Sequence, residues 1–449
     1  MTATDVYQQA RLSRDPRFDG SFFVAVKTTK IFCRTICPAT LPLEKNVEYF
    51  VMAQQAMQHG YRPCLRCRPD SAPHSNAWQG VLTTVNRASH LLHSYHELSI
   101  SEIAEKLGIG DRYFRQLFQA QLGISPKQFQ LFDQILFAKH LLHQSNLSIE
   151  QVAQSSGFNN ARRLQIQMKK ATGLSPSQVR KQQRTIDQDI QLTMAFRPPY
   201  NWPHLRDFMA VRAITMVEEI NADSYARFFT LGDCKGWFQA RFDEPNNQFK
   251  LRIKLDNIKY LTQVLRNIER VLDVSADMQA IQQQLKLSGI PDERLTEGLR
   301  LPGIWNPFEA GCRAILGQQI SVKAAINLVT QLVCELGEKS LDVQYFPKAE
   351  NILNHDLSFL KIPESRRQTL RDFATWCHHH LDGEIDDWFT IKGIGAWTIA
   401  YAKLRGLSSP DIWLESDLVI KNQLKIYSID SEQARPWRSY LTLQLWNLA

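Results

Sequence analysis

The spacing of apolar positions changes several times along the chain, and each change marks a different kind of element. From Gly20 to Cys33 the run Gly-Ser-Phe-Phe-Val-Ala-Val-Lys-Thr-Thr-Lys-Ile-Phe-Cys sets aromatic and β-branched residues around a polar centre, which predicts a short β-hairpin ending at a cysteine. Between about 80 and 185 the spacing becomes helical and the pattern repeats. Leu98-Ser-Ile-Ser-Glu-Ile-Ala-Glu-Lys-Leu-Gly matches Leu147-Ser-Ile-Glu-Gln-Val-Ala-Gln-Ser-Ser-Gly at an offset of 49 residues, and both copies close on Gly-x-Ser-Pro, at Gly123 and Gly173. In each copy a short helix stops at a glycine, Gly108 or Gly157. A second helix then presents apolar residues at helical spacing, Phe114/Leu117/Phe118 and Leu164/Met168, so the segment reads as a helix-turn-helix written twice. A polar stretch, Gln183 to Gln191, predicts a linker. Beyond it a region opening at Met194 carries strict alternation in Phe249-Lys-Leu-Arg-Ile-Lys-Leu, a strand with Phe249, Leu251, Ile253 and Leu255 on one face. After about 295 the pattern is nearly all helix, with Gly and Pro marking the loops.

These changes predict a multidomain, mainly α protein with α+β parts. The expected order is a small cysteine-bearing α+β domain over 1–76, a double helix-turn-helix domain over 77–185, an α+β antiparallel-sheet domain over 192–294 and an all-α domain over 295–449. A length of 449 residues suits several domains, and 44% hydrophobic with 22% charged residues is an ordinary globular composition that excludes wholesale disorder. No run approaches the roughly 18 apolar residues of a spanning helix, and Met1 to Ala10 lacks a signal-peptide pattern, so a cytoplasmic protein without a membrane partner is expected. The net charge of +8 is unevenly spread: residues 1–190 hold 23 Lys and Arg against 14 Asp and Glu, while the remainder holds 30 against 31. The basic excess of the first part suits a polyanion such as DNA.

Four of the eight cysteines form two close pairs, Cys33-x3-Cys37 and Cys64-x2-Cys67, separated by 26 residues. That spacing brings four sulfurs to one tetrahedral zinc ion; core cysteines or two disulfides are the alternatives. The segments Phe32-Cys-Arg-Thr-Ile-Cys-Pro and Gly60-Tyr-Arg-Pro-Cys-Leu-Arg-Cys-Arg-Pro-Asp resemble the zinc domain of the Ada methylation-response family. The resemblance implies that Cys33 accepts a methyl group from a DNA methyl phosphotriester, and that Arg34, Arg66 and Arg68 contact phosphates. Loss of one thiolate charge on methylation would then tighten DNA binding. The segment after Cys37, Pro-Ala-Thr-Leu-Pro, is less basic than the Ada pattern.

The doubled motif resembles the AraC family of DNA-binding domains. The resemblance implies two recognition helices, beginning near Asp111 and Asn159, with Arg112, Arg115, Gln116, Asn160, Arg162, Arg163 and Gln165 available to bases and phosphates. RNA polymerase is the partner such an activator would take.

Ile391-Lys-Gly-Ile-Gly-Ala-Trp-Thr is a glycine turn before a helix, where Gly393 and Gly395 let backbone N–H groups approach a phosphate. Asp417 follows at the start of another helix, where a carboxylate by itself reads as a cap. Arg197-Pro-Pro-Tyr-Asn-Trp, Phe308-Glu-Ala-Gly-Cys-Arg-Ala-Ile-Leu-Gly-Gln-Gln, Gly393-Ile-Gly-Ala-Trp-Thr, Asp417-Leu-Val-Ile-Lys and Pro436-Trp-Arg-Ser-Tyr resemble the AlkA-type 3-methyladenine glycosylases of the helix-hairpin-helix superfamily. The resemblance implies that Asp417 is the catalytic carboxylate, that Trp397, Tyr401, Trp446 and Phe208 form the base pocket, and that Gln319 stands where an apolar residue wedges into the duplex. It also implies a monofunctional enzyme, because Trp397 occupies the place of the Schiff-base lysine of bifunctional relatives. No iron–sulfur cluster is expected, since no cysteine follows Cys377. The expected function is thus dual: a zinc-bound methyl acceptor that activates transcription, and a glycosylase of alkylated double-stranded DNA. The alternative is a non-enzymatic regulator whose glycosylase fold only binds damage.

Overall fold

A computed structural model describes residues 3–14, 22–50, 55–56, 59–64, 67, 69, 84–85, 87–89, 91–92, 98–180, 189–340, 343–380 and 383–449. Residues 70–76 at the end of the first expected domain, residues 183–188 of the expected linker, Arg66 and Arg68 lie outside them. The chain forms two compact units, Met1–Asp133 and Gln134–Ala449.

In the first unit, α1 (Ala3–Ser13) precedes the expected hairpin, β1 (Phe23–Val26) and β2 (Ile31–Arg34), which pairs Val24 with Cys33. The antiparallel strand β3 (Val47–Phe50) joins β1 and the parallel strand β4 (Arg62–Pro63) joins β2, giving the order β3-β1-β2-β4. Arg11 of α1 is 2% exposed and holds the loop before β3 through Glu44, Tyr49 and the Pro42 carbonyl. The first repeat copy follows as α2 (Ile100–Lys106) and α3 (Asp111–Leu122), and α4 (Pro126–Gln144) continues past the boundary between the units.

The second copy is α5 (Ile149–Ser155) and α6 (Ala161–Thr172), closed by the short α7 (Pro176–Val179). The repeat extends to the caps. Ser99 and Ser148 each make a reciprocal capping box, with Glu102 and Gln151, and Gly123 and Gly173 end their helices in the left-handed region at φ 72° and 75°.

Next comes a five-stranded antiparallel sheet of order β5-β9-β8-β7-β6, built from β5 (Ile190–Ala195), β6 (Glu218–Ile220), β7 (Ser224–Leu231), β8 (Cys234–Asp243) and β9 (Gln248–Leu255). Helix α8 (Trp202–Ala210) lies between β5 and β6 in sequence; α9 (Leu261–Val271) and α10 (Met278–Lys286) follow the sheet. The alternation read from Phe249 holds: Phe249, Leu251 and Ile253 are buried to 1% exposure or less. Strand β5 starts four residues before Met194, and Asp189, expected in a polar linker, is 4% exposed and pairs with Arg252. Its charge is neutralised in the fold, which a reading of polarity alone misses.

The remainder is helical, as expected: α11 (Pro307–Gly317), α12 (Val322–Leu336), α13 (Ala349–Leu353), α14 (Glu364–His379), α15 (Ala396–Gly406), α16 (Leu418–Gln423) and α17 (Arg438–Asn447). A ribbon of two two-residue strands, β10 (Lys339–Ser340) and β11 (Val343–Gln344), interrupts it. Its core includes Ile315, Leu332, Phe373, Trp388 and Ala402. No described helix is long and apolar enough to cross a membrane.

Candidate methyl-acceptor cluster, recognition helices and base cleft

The β1–β2 hairpin ends with Cys33 in strand, and a turn closed by the Cys37 N–H on the Arg34 carbonyl at 3.1 Å returns Cys37 beside it. Cys64 follows β4, where its N–H donates to the Phe32 carbonyl at 2.9 Å. The first cysteine of each pair is thereby fixed by sheet bonds. The four sulfurs of Cys33, Cys37, Cys64 and Cys67 lie within 4.8 Å of one another and none is in a disulfide. Zinc–sulfur bonds of about 2.3 Å place tetrahedral sulfurs about 3.8 Å apart, so the donor set fits one zinc ion.

The sulfurs are not equivalent. Cys67 accepts the Arg34 backbone N–H at 3.3 Å. A hydrogen bond from Cys33, reinforced by that N–H, holds the Cys67 thiol down to about 5. The Cys33 thiol is raised, first by this bond to Cys67 and then by burial; burial raises Cys37. Crowding four thiols raises the cost of ionising all of them, which a bound dication would offset. The Arg34 guanidinium reaches the Cys67 carbonyl, at 3.5 Å.

On the recognition helices the two copies match position by position. Phe114 and Phe118 of α3, and Leu164 and Met168 of α6, are buried; Arg112, Arg115 and Gln116, and Arg162, Arg163 and Gln165, are exposed. Arg115 is paired with Asp111 one turn back at 2.8 Å. Asn160 is exposed, but its side-chain oxygen caps α6 by accepting the Arg163 N–H at 2.9 Å, which leaves only its amide nitrogen for a partner.

In the helical region, the Gly393 turn is sterically obligatory. Its φ is 92°, and a Cβ there would meet Thr369 Oγ1 at 2.2 Å. That hydroxyl donates to the Lys392 carbonyl, while Gln318 donates to the Gly393 carbonyl at 3.1 Å. Gly395 caps α15 and a Cβ on it would meet nothing within 4 Å, so its backbone is open to a ligand.

From α15, Trp397 and Tyr401 stack with ring centroids 5.1 Å apart. Phe208 of α8 stacks on Trp446 of α17 at 6.3 Å. These four line one cleft of about 670 Å³ together with Asp417. The Asp417 carboxylate accepts four N–H groups. Oδ1 takes the backbone N–H of Val419 and Ile420 and the indole N–H of Trp446, at 3.0, 3.2 and 3.1 Å; Oδ2 takes the indole N–H of Trp397 at 3.0 Å. Asp417 is therefore the cap of α16 and a member of the aromatic cleft at once. Gln319, in the left-handed region at φ 59°, lies between α11 and α12 and is exposed beside Ile320, which lines the cleft.

Reading the sequence for aromatics and carboxylates missed the cationic lining. Arg212 and Arg405 place their guanidinium carbons 3.7 and 4.9 Å from the Phe208 ring centroid. Burial and the nearby Arg405 charge hold Arg212 down at about 10, and burial lowers Arg405 as well. The signal was present: Trp397, Tyr401 and Arg405 recur every four residues on one face of α15. Behind them Arg227 and Arg313 pair with Glu218 and Glu309, all at 9% exposure or less. Burial opposes the Glu218 charge, but Arg313 and Arg227 hold its carboxyl at about 2. Arg313 also donates to the Arg212 carbonyl at 2.7 Å, which ties this network to the cleft wall.

Three family descriptions match the chain: the metal binding domain of Ada over residues 6–70, a helix-turn-helix domain over 103–182, and the AlkA N-terminal domain over 191–306. A Mycobacterium tuberculosis protein named a probable bifunctional transcriptional activator/DNA repair enzyme AlkA is 29% identical over 471 residues, covering 97% of this chain and 94% of its own. DNA-3-methyladenine glycosylase 2 of Escherichia coli is 30% identical over 277 residues, covering 57% of this chain and 96% of its own. The bifunctional transcriptional activator/DNA repair enzyme Ada of the same organism is 38% identical over 122 residues, 27% of this chain and 34% of its own.

Proposed function

We propose, for a chain that belongs to the AlkA family of DNA-3-methyladenine glycosylases and carries Ada-type zinc and helix-turn-helix segments ahead of it, that it both senses and repairs DNA alkylation. In this reading residues 1–76 are the methyl acceptor, 77–185 the DNA-binding domain, and 192–294 with 295–449 the glycosylase. It works in the cytoplasm on double-stranded DNA and engages RNA polymerase when it activates transcription.

The observation that carries the enzymatic half is the Asp417 carboxylate, pinned by two indole N–H groups inside an aromatic cleft. An N-alkylated purine such as 3-methyladenine is cationic and has a weakened glycosidic bond. Turned out of the duplex, it is held by stacking and cation–π attraction between the Trp397/Tyr401 and Phe208/Trp446 pairs. As the C1′–N bond breaks, its electron pair leaves with the base and positive charge grows on the sugar. Asp417 is fixed to face that charge and to orient the water that adds to C1′, which needs no reorganisation at the moment of reaction. Gly393 and Gly395 grip the backbone of the same duplex, with Gln319 at its edge.

For the sensing half, Cys33, Cys37, Cys64 and Cys67 would hold one zinc ion, which would supply the charge that keeps sulfur deprotonated at neutral pH. The Cys33 thiolate attacks the methyl carbon of a phosphotriester; an S–CH3 bond forms, the CH3–O bond breaks, and the electron pair returns to the phosphate oxygen. The cluster loses one negative charge, which strengthens its hold on phosphates. Arg34, Arg66 and Arg68 contact the backbone, and Arg112, Arg115, Gln116, Asn160, Arg162, Arg163 and Gln165 contact the promoter. The test is incubation with methylated DNA followed by mass analysis of protein and released bases. The reading requires one added methyl on a peptide containing Cys33 and free 3-methyladenine in solution; a protein that binds this DNA but releases no base is a regulator only.

A further inference from the structure

We propose that the second helix-turn-helix is not tethered to the glycosylase but built into it, so that α6 and the base cleft form one body with two DNA-binding faces. The DNA roles of those faces rest on the reading above; the fixed relation between them does not.

The contact lies on the back of α5. Its last residue, Ser155, and the following Ser156 are 1% and 0% exposed, although both are polar and near a helix end. The Ser155 carbonyl accepts the Thr262 hydroxyl at 3.0 Å, a bond between groups 107 residues apart and wholly buried. Thr262 is 2% exposed and its neighbour Leu261 is 0% exposed, at the start of α9 directly after the 310 turn Ile258–Tyr260. The Ser156 hydroxyl is buried there with no hydrogen-bond partner among the described residues.

A second set of bonds lies at the end of α4. Asn146 donates to the Asp189 carbonyl at 3.0 Å and accepts the Gln191 N–H at 3.2 Å, and Thr193 donates to Gln144 at 3.1 Å. These bonds hold the first residues of β5. Asp189 is 4% exposed and is charge-paired to Arg252 of β9. The edge strand of the glycosylase sheet is thus clamped on one side by β9 and on the other by the helix-turn-helix.

Two lines of support, about 70 residues apart in the glycosylase, resist rotation as well as separation, whereas a single tie would act as a hinge. Neither DNA face is spent on the contact. Arg162, Arg163 and Gln165 of α6 remain exposed, and none of the described residues 134–180 lines the base cleft. The body therefore presents both faces together, and a duplex held by α6 restricts which DNA can reach Asp417.

The experiment measures the distance between spin labels on the full chain, placed by an unnatural amino acid at Lys170 of α6 and Glu350 of α13, both exposed, so that the zinc cysteines are untouched. One narrow distance distribution is expected in the wild-type protein, with and without DNA; a broad one overturns the proposal with no variant needed. Thr262→Arg, which forces a charged side chain into the α5 contact, should broaden it and reduce amide protection at 149–156 by about tenfold or more. Base release from methylated DNA should stay within about twofold, since Thr262 does not line the cleft. Should Thr262→Arg not fold, Asn146→Ala with Thr193→Ala removes the three bonds to β5 without adding bulk and must also broaden the distribution. A distribution that stays narrow in the folded variants overturns the assignment of this interface.

Discussion

Asp417 shows that capping a helix and facing an aromatic cleft are compatible in one residue. A carboxylate before a helix reads as a cap, and the α16 backbone N–H groups do bond to it. Those bonds occupy one oxygen and fix the rotamer that the Trp397 and Trp446 indoles then complete. Capping is the means of orientation, so Asp417→Asn should keep binding alkylated DNA yet release 3-methyladenine about a hundredfold more slowly, or worse, in single-turnover assays. Release at the wild-type rate would leave Asp417 as a cap alone. Trp446→Phe retains a ring against Phe208 and removes one N–H donor. A hydrogen bond to a charged group is worth about 1.5–3 kcal/mol, so a slowing of about tenfold or more is expected, with little change in affinity. The aromatic and acidic members of the cleft were legible as motifs along the chain. Arg405 was legible only through its four-residue spacing from Tyr401 and Trp397, and Arg212 was not, because an arginine near an aromatic residue in sequence is ordinary and only burial and the 3.7 Å approach to Phe208 set it apart.

At the scale of elements, turns and helix ends were the most legible features, since a left-handed glycine or a serine cap acts on its immediate neighbours. Gly393→Ala tests one of them. The new Cβ would collide with Thr369 at φ 92°, so the variant should lose about 1–3 kcal/mol and bind duplex DNA more weakly, as seen by urea unfolding and DNA titration. Contacts between distant elements were not legible: Ser155 and Thr262 are small polar residues with no periodic pattern, and Asp189 reads as part of a linker because its charge is neutralised only by a distant partner, Arg252.

Asp273 is another such residue. Its carboxylate, just past α9, accepts bonds from the Leu301 N–H and the Tyr440 hydroxyl, and burial raises it to about 6. A carboxyl raised from an unfolded value of about 3.9 takes up its proton more readily in the folded state. Its contribution is full below about pH 4 and is lost as pH rises to about 6, by about 2 to 3 kcal/mol. Relative to Asp273→Asn, the wild-type protein should therefore lose urea stability over that window and stay level above it. Tryptophan fluorescence can follow this, since nine of the ten tryptophans lie beyond residue 134. A constant difference from pH 4 to 7 would contradict the assignment.

For the whole molecule, the proposed methyl acceptor and the proposed glycosylase carboxylate lie in different compact units, Cys33 in the first and Asp417 in the second. That separation was legible from the cysteine spacing and from the motifs, because each site is made largely by one local run plus a few partners. Cys33→Ala should abolish methyl transfer and any methylation-dependent gain in promoter affinity while leaving base release within about twofold; Asp417→Asn should do the reverse. Cys37→Ala cannot serve in place of the first, since losing a zinc ligand unfolds the site around the acceptor whichever sulfur reacts. An S-methyl group on Cys64 or Cys67 would reassign the acceptor. The product of the second site distinguishes mechanism from mere activity. Trp397 stands two residues after Gly395 and spends its N–H on Asp417, so no amine at that position can attack the sugar. Base release should therefore leave an intact abasic site, and borohydride added during turnover should trap no protein–DNA adduct. A trapped adduct would mean that a lysine reaches C1′ from elsewhere in the cleft. It would refute water as the nucleophile even if Asp417→Asn lost all activity, because that variant tests the charge facing the sugar and not the group that attacks it.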